Sequence, residues 1–181
     1  MEVPQPLKFE QLPDSQVSPQ DDQGLRDLLS VCFLGPDDHV FKTRRYFQEA
    51  PQHRIVLRDE AGVIRAQVAA HDKIIGTTEG DLRIAGLAEV AVHPDLRGRG
   101  IANLLLAEFH SWAVNQDFPF AMLFGNPKIY GSKGYVVCEN LIRSFDWKTQ
   151  KFIESYSKPM QKPLSTRAWP AGLIDIRCPN F

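Results

Sequence analysis

Residues 87–107, reading LAEVAVHPDLRGRGIANLLLA, join an apolar run to a basic, glycine-bearing turn that opens an amphipathic stretch. That order suits an anion cradle. The first N–H groups of a helix have no intrahelical acceptors, and the helix dipole favours negative charge there, so main-chain donors can hold a pyrophosphate. Gly98 and Gly100 carry no Cβ and let the backbone come close to such a ligand, while Arg97 or Arg99 can add a charge-assisted hydrogen bond. Other phosphate-binding patterns do not match. There is no Gly-x-Gly-x-x-Gly followed about 20 positions on by an acidic residue, and no Gly-Lys-Ser/Thr. A nucleic-acid-binding Arg-Gly tract is repetitive, whereas this one occurs once between two patterned segments.

The elements that must carry this turn can be read from periodicity. Residues 87–92 form a strand, His93-Pro94-Asp95 a break, and the following helix presents Ile101, Leu104, Leu105 and Trp112 beside Ala102, Leu106, Phe109 and Ala113. Upstream, 7–12 alternates weakly as a first strand, and Leu25, Leu28, Leu29, Cys32 and Phe33 stripe a helix starting near Asp21 or Asp22. A second short helix is expected from Asp37 or Asp38, carrying Val40, Phe41, Arg44 and Phe47. Segments 54–58 and 63–75 read as strands joined by the turn Asp59-Glu60-Ala61-Gly62. Downstream, 120–124 is a strand, 127–132 a short helical piece, and 135–138 and 141–147 two further strands. The proline-bearing stretch 158–169 reads as a loop, with Trp169 as an aromatic anchor that docks the tail on the sheet.

Arg97-x-x-Gly100-x-Ala102 resembles the coenzyme A pyrophosphate signature of the GCN5-related N-acetyltransferases, usually written Gln/Arg-x-x-Gly-x-Gly/Ala. A second match follows in order. Asn126-Pro-Lys-Ile-Tyr130-Gly-Ser-Lys-Gly134-Tyr135 is similar to the family's Asn…Tyr-x-x-x-Gly-aromatic segment. The resemblance covers roughly residues 7–147. It implies an α+β fold with a mixed, mostly antiparallel sheet of about seven strands, helices on both faces and splayed central strands. It also implies 1–147 as the acetyltransferase domain and 148–181 as a C-terminal extension packed on it. The stretch Trp169-Pro170-Ala171-Gly172 resembles the Trp-x-x-Gly tail of aminoglycoside 2′-N-acetyltransferases and nodulation-type acyltransferases.

The same resemblance implies acetyl-CoA as cosubstrate, without a metal, and transfer to a primary amine of a small molecule by direct attack in a ternary complex. Amides from Arg97, Gly98, Arg99, Gly100, Ile101 and Ala102 would hold the pyrophosphate. Backbone groups of Val90, Ala91 and Val92 would bind the pantetheine and polarise the thioester carbonyl, and Asn126 would contact the pantetheine arm. Tyr130 lines up with the tyrosine that protonates the departing sulfur. An amine with a pKa of about 10 must lose a proton before it attacks. Glu89, the sole carboxylate within 87–92, is the first choice for that base, with Asp72 and Glu79 as reserves. A bulge in this strand would decide which way Glu89 faces. Asp37 and Asp38 either attract a cationic amine or cap a helix. A protein lysine or N-terminal acetyltransferase, a longer-chain acyltransferase and a non-catalytic coenzyme A module are the alternatives. The family's habit of dimerising through sheet edges allows a homodimer.

Composition fits these expectations. The chain has 181 residues, 43% of them hydrophobic, enough for one domain with a core, and a formal net charge of −1 that attracts neither nucleic acid nor an anionic membrane. No apolar run approaches the roughly 20 residues of a membrane span, and the N-terminus lacks a basic-then-apolar leader, so a cytoplasmic enzyme is expected. Cys32, Cys138 and Cys178 are far apart and read as buried reduced thiols. The five histidines show no i, i+4 pair, so no metal site is expected.

Overall fold

Ser18 and Pro19 start the first helix. The Ser18 hydroxyl accepts the Asp21 N–H at 3.1 Å and Pro19 occupies the first turn, so α1 (Pro19–Cys32) begins two residues ahead of Asp21. The computed structural model describes residues 8–146, 148–155 and 157–177; Leu7, Trp147 and Cys178 therefore lie outside the described residues. The chain divides into two compact units, residues 1–70 with 89–109, and 71–88 with 110–181.

In the first unit, β1 (Phe9–Pro13), β2 (His53–Arg58) and the first half of β3 (Ile64–Thr77) pair antiparallel. The β2–β3 turn closes as expected, with Asp59 Oδ1 accepting the N–H groups of Ala61 and Val63 and Gly62 at φ +80°. Leu25, Leu28 and Leu29 of α1 bury against Leu12, Val56 and Ile64, and Phe41 and Ala91 complete the cluster. The expected helix from 37 to 47 is corrected to one 3-10 turn, Asp38–Lys42, followed by irregular backbone over 43–50. Tertiary partners override the helical period there: Arg44 donates to the Phe47 carbonyl, and the Phe47 N–H is turned onto Glu89.

The second unit holds the rest of β3, the first nine residues of β4 (Gly80–Val92), and β5 (Phe120–Leu123), β6 (Val136–Val137), β7 (Ile142–Asp146), β8 (Lys151–Glu154), β9 (Met160–Pro163) and β10 (Ile174–Ile176). Their order is β6-β9-β5-β4-β3-β10-β7-β8. β4 starts at Gly80, well before residue 87, because Leu82, Ile84 and Ala85 are buried and Gly86 is accommodated within the strand. β4 and β5 run parallel over only two pairs, Ala85 with Ala121 and Gly86 with Met122. The expected loop at 158–169 is corrected as well. Met160 and Gln161 are buried, and β9 pairs antiparallel with both β5 and β6. β10 lies between β3 and β7, so the sheet has more strands than the expected seven or so because the tail supplies them.

Trp169 docks as expected. Its Nε1 donates to Asn140 Oδ1 at 2.8 Å, and its ring meets Phe120 edge-on at 4.9 Å. Helix α2 (Ile101–Asn115) runs from the first unit into the second, and α3 (Pro127–Tyr130) belongs to the second. No helix among the described residues is long and apolar enough to cross a membrane.

Candidate active site

The turn before α2 is built by two left-handed glycines, Gly98 at φ +74° and Gly100 at φ +75°. A Cβ at either would meet nothing within 4 Å, so glycine is needed there for backbone conformation rather than for space. Val92, Leu96, Arg97, Gly98, Gly100 and Ile101 help line a cavity of about 210 Å³. Among the described residues, the N–H groups of Gly98, Arg99 and Gly100 have no intramolecular acceptor, and those of Ile101 and Ala102 open α2. This donor set fits a pyrophosphate. Arg97 turns its Nε onto the Val92 carbonyl at 3.2 Å, whereas Arg99 is exposed and makes no side-chain hydrogen bond among the described residues. The Val92 carbonyl also accepts the Cys32 thiol at 3.3 Å, so it is doubly committed. Ala91 is buried, with Val90 and Val92 half-buried beside it.

Glu89 lies in the same unit, at a left-handed position within β4. Its φ of +51° is rare for a non-glycine residue and turns the side chain inward. Gln67 Nε2 donates to its carbonyl at 2.6 Å, and the Phe47 N–H donates to Oε1 at 2.7 Å. Oε2 is buried without a hydrogen bond and faces Arg54 Nη1 at 3.7 Å. Burial drives the Glu89 pKa up to about 6, opposed by the Arg54 charge and the Phe47 N–H. That suits a group that must accept a proton near neutrality. The reserves are differently placed: Asp72 accepts from Nε and Nη2 of Arg83 at 2.9 and 2.8 Å, and Glu79 is exposed in a turn. Asp38 accepts the Gly35 N–H at 2.7 Å and so closes the 35–38 turn rather than capping the helix, and Asp37, at the N-cap, is exposed and makes no capping hydrogen bond.

In the second unit, Asn126 Oδ1 accepts the Lys128 N–H at 2.9 Å and caps α3, which ends on Tyr130. The Tyr130 hydroxyl makes no hydrogen bond among the described residues, and burial raises its pKa. Its ring packs edge-on against Tyr135 at 6.0 Å and lies so close to Gly125 that a Cβ there would stand 2.6 Å from Cε2. Tyr135 is buried and shares a 2.8 Å hydrogen bond with Nε2 of His110, whose pKa burial lowers to about 4, so the imidazole is neutral.

A family model for the acetyltransferase (GNAT) domain matches residues 15–138. The chain belongs to the GNAT acetyltransferase family. As a GNAT chain it is an acetyl-CoA-dependent N-acyltransferase, and its mixed sheet with few helices is the GNAT fold. Among solved structures it is similar to the GNAT family N-acetyltransferase YhbS from Escherichia coli in complex with CoA, with a TM-score of 0.66 and 19% identity, covering 98% of this chain and 94% of that one. A GNAT family acetyltransferase from Brucella melitensis in complex with acetyl-CoA gives a TM-score of 0.55 and 18% identity over 71% and 83% of the two chains. A GCN5-related N-acetyltransferase from Anabaena variabilis gives 0.56 and 21% over 72% of this chain, which spans 32% of that longer one. At these identities the likeness is one of fold. No curated protein matches.

Within this GNAT chain the first unit gathers Glu89, Val90, Ala91, Val92 and the Arg97 to Ala102 turn, and the second holds Asn126 and Tyr130. Sequence reasoning missed Arg54, Asp14 and Gln67, which surround Glu89, and Gly125, against which the Tyr130 ring rests. A signal existed for Arg54 alone, a cation set against the apolar run Ile55-Val56-Leu57. Among the described residues no group of three His, Cys, Asp or Glu side chains is arranged to hold a metal.

Proposed function

We propose that the protein transfers an acetyl group to a primary amine of a small molecule by direct attack in a ternary complex. The glycine cradle, with its row of uncommitted N–H groups, carries this reading. Acetyl-CoA supplies the activated thioester when bound. The N–H groups of Gly98, Arg99, Gly100, Ile101 and Ala102 hold its pyrophosphate, while the Arg97 N–H, expected to join them, is already given to the Pro94 carbonyl at 3.2 Å; Val90, Ala91, Val92 and Asn126 hold the pantetheine. Glu89 takes a proton from the acceptor ammonium and leaves a free amine to form the C–N bond. Tyr130 gives its proton to the sulfur as the C–S bond breaks, the second amine proton returns the tyrosinate to the phenol, and Glu89 then gives its proton to solvent. The reading carries a cytoplasmic location and admits a homodimer.

A thermal-shift titration with acetyl-CoA, with ADP as control, tests the cradle. At 100-fold the dissociation constant, stabilisation is about 2.7 kcal/mol. Tyr130→Phe should then lower kcat roughly 10²-fold with acetyl-CoA affinity retained. No shift with any coenzyme A species, or an unchanged kcat, would remove the corresponding role.

A further inference from the structure

Arg54 is wholly buried, and its donors are committed to fixed partners: Nε to Asp14 at 2.8 Å, Nη1 to Gln67 Oε1 at 3.0 Å, and Nη2 to the Arg45 carbonyl at 2.9 Å. Asp14 is gripped in turn by Arg45 at 3.1 and 2.6 Å, and Arg45 by Asp22 of α1 at 2.9 Å. This clamp keeps the guanidinium from closing on Glu89 Oε2, which stays 3.7 Å away and accepts no hydrogen bond. A buried carboxylate oxygen left without a donor is costly, and native proteins keep one chiefly where it has work to do.

We propose that Arg54, clamped by Asp14, is a positioning residue that holds Glu89 as an anion while leaving its buried Oε2 free of a hydrogen bond, so that this oxygen can take the acceptor's proton directly or through a water. The inference rests on the reading of Glu89 as proton acceptor. Around that carboxylate, β2 contributes the Arg54 charge and the turn after β1 contributes Asp14; Arg45 and, from α1, Asp22 are linked to it through Asp14. Gln67 of β3 and the Phe47 N–H are neutral neighbours, and Arg65 of β3 pairs with Asp95 instead.

An opposite charge within about 4–6 Å lowers a carboxylate pKa by roughly 1–3 units, so two substitutions should act with opposite sign. Arg54→Gln should raise the acidic limb of the kcat/KM profile by about one unit or more, a roughly tenfold loss at pH 5 that shrinks towards pH 8. Asp14→Asn should lower the limb, and Arg54→Lys should keep it near its original place. A ¹³C NMR titration of the Glu89 carboxyl, assigned by its loss in Glu89→Gln, should move in step in the free protein. Opposite shifts support the proposal. Activity that falls while the limb and the NMR titration stay put would show Arg54 to be merely structural and overturn it. If Arg54→Gln does not fold, Asp14→Asn decides: a lowered Glu89 titration supports the proposal and an unmoved one sinks it. Should Glu89→Gln keep full activity and the same acidic limb, the base assignment falls instead, while the NMR shifts still judge the coupling of Arg54 to Glu89.

Discussion

At residue 89 a carboxylate is buried on a backbone with φ +51°, two departures from what a strand interior favours. Folding raises the Glu89 pKa from 4.5 to about 6, so the folded state binds its proton more tightly than the unfolded chain does, although the anion still prevails at neutral pH. Its contribution to stability is therefore fullest below pH 4.5 and is lost as pH rises through about 6. The loss is about 2 kcal/mol. Glu89→Gln imitates the protonated form, so at pH 8 it should stabilise the fold by up to about 2 kcal/mol, and at pH 4 by almost nothing. The same change should cost roughly 10²-fold or more in kcat/KM. Urea melts at the two pH values check the first half, and a variant destabilised at pH 8 would contradict it. Glu89 itself was legible as the one carboxylate in an apolar strand. Its partners were not, because Asp14, Arg45 and Arg54 are brought to it by tertiary pairing that leaves no local period in the sequence.

At the scale of elements, the glycines of the two motifs fail differently when replaced. Gly100→Ala meets open space, so its cost is the left-handed backbone alone, about 1–2 kcal/mol. Relaxation of that strain would turn N–H groups away from the cradle. The expected result is a raised acetyl-CoA KM with kcat largely kept. Gly125→Ala instead drives a Cβ to 2.6 Å from the Tyr130 ring and 2.9 Å from Leu123, so α3 or the ring must shift. Here kcat should fall at least tenfold while acetyl-CoA affinity, measured by thermal shift, changes little. Equal effects of both variants on both parameters would refute the division of labour. The strand–turn–helix of the cradle and the β2–β3 hairpin were readable because local turn chemistry and periodicity agree with the final packing. The 38–47 segment was misread because its apolar spacing serves an aromatic cluster, with Phe33 and Phe41 at 5.4 Å and Phe41 and Phe47 at 6.2 Å, rather than a helix.

Over the whole molecule, the chain passes between its two units within β3, β4 and α2, so neither unit is a continuous segment. The second unit also depends on residues far along the chain. β9 is an interior strand that pairs with β5 and β6, and β10 closes β3 against β7. A single-sequence reading weighs Met160-Gln161-Lys162-Pro163 as loop because the segment is short and ends in proline; only its pairing on both sides makes it a strand. Removing residues 158–181 would leave β5 and β6 without their shared neighbour and strip Ile174, Ile176 and Trp169 from the core. We expect that truncation to abolish cooperative unfolding. Within the full chain, Trp169→Ala should cost about 3 kcal/mol, the low end for a buried aromatic, since the ring is only half-buried. Trp169→Phe should cost about 1 kcal/mol, because it keeps an edge for Phe120 and loses the Nε1–Asn140 hydrogen bond. Urea midpoints of the two variants order these contributions, and a Trp169→Ala midpoint equal to that of the unmodified protein would show that the tail docks without stabilising the sheet it joins.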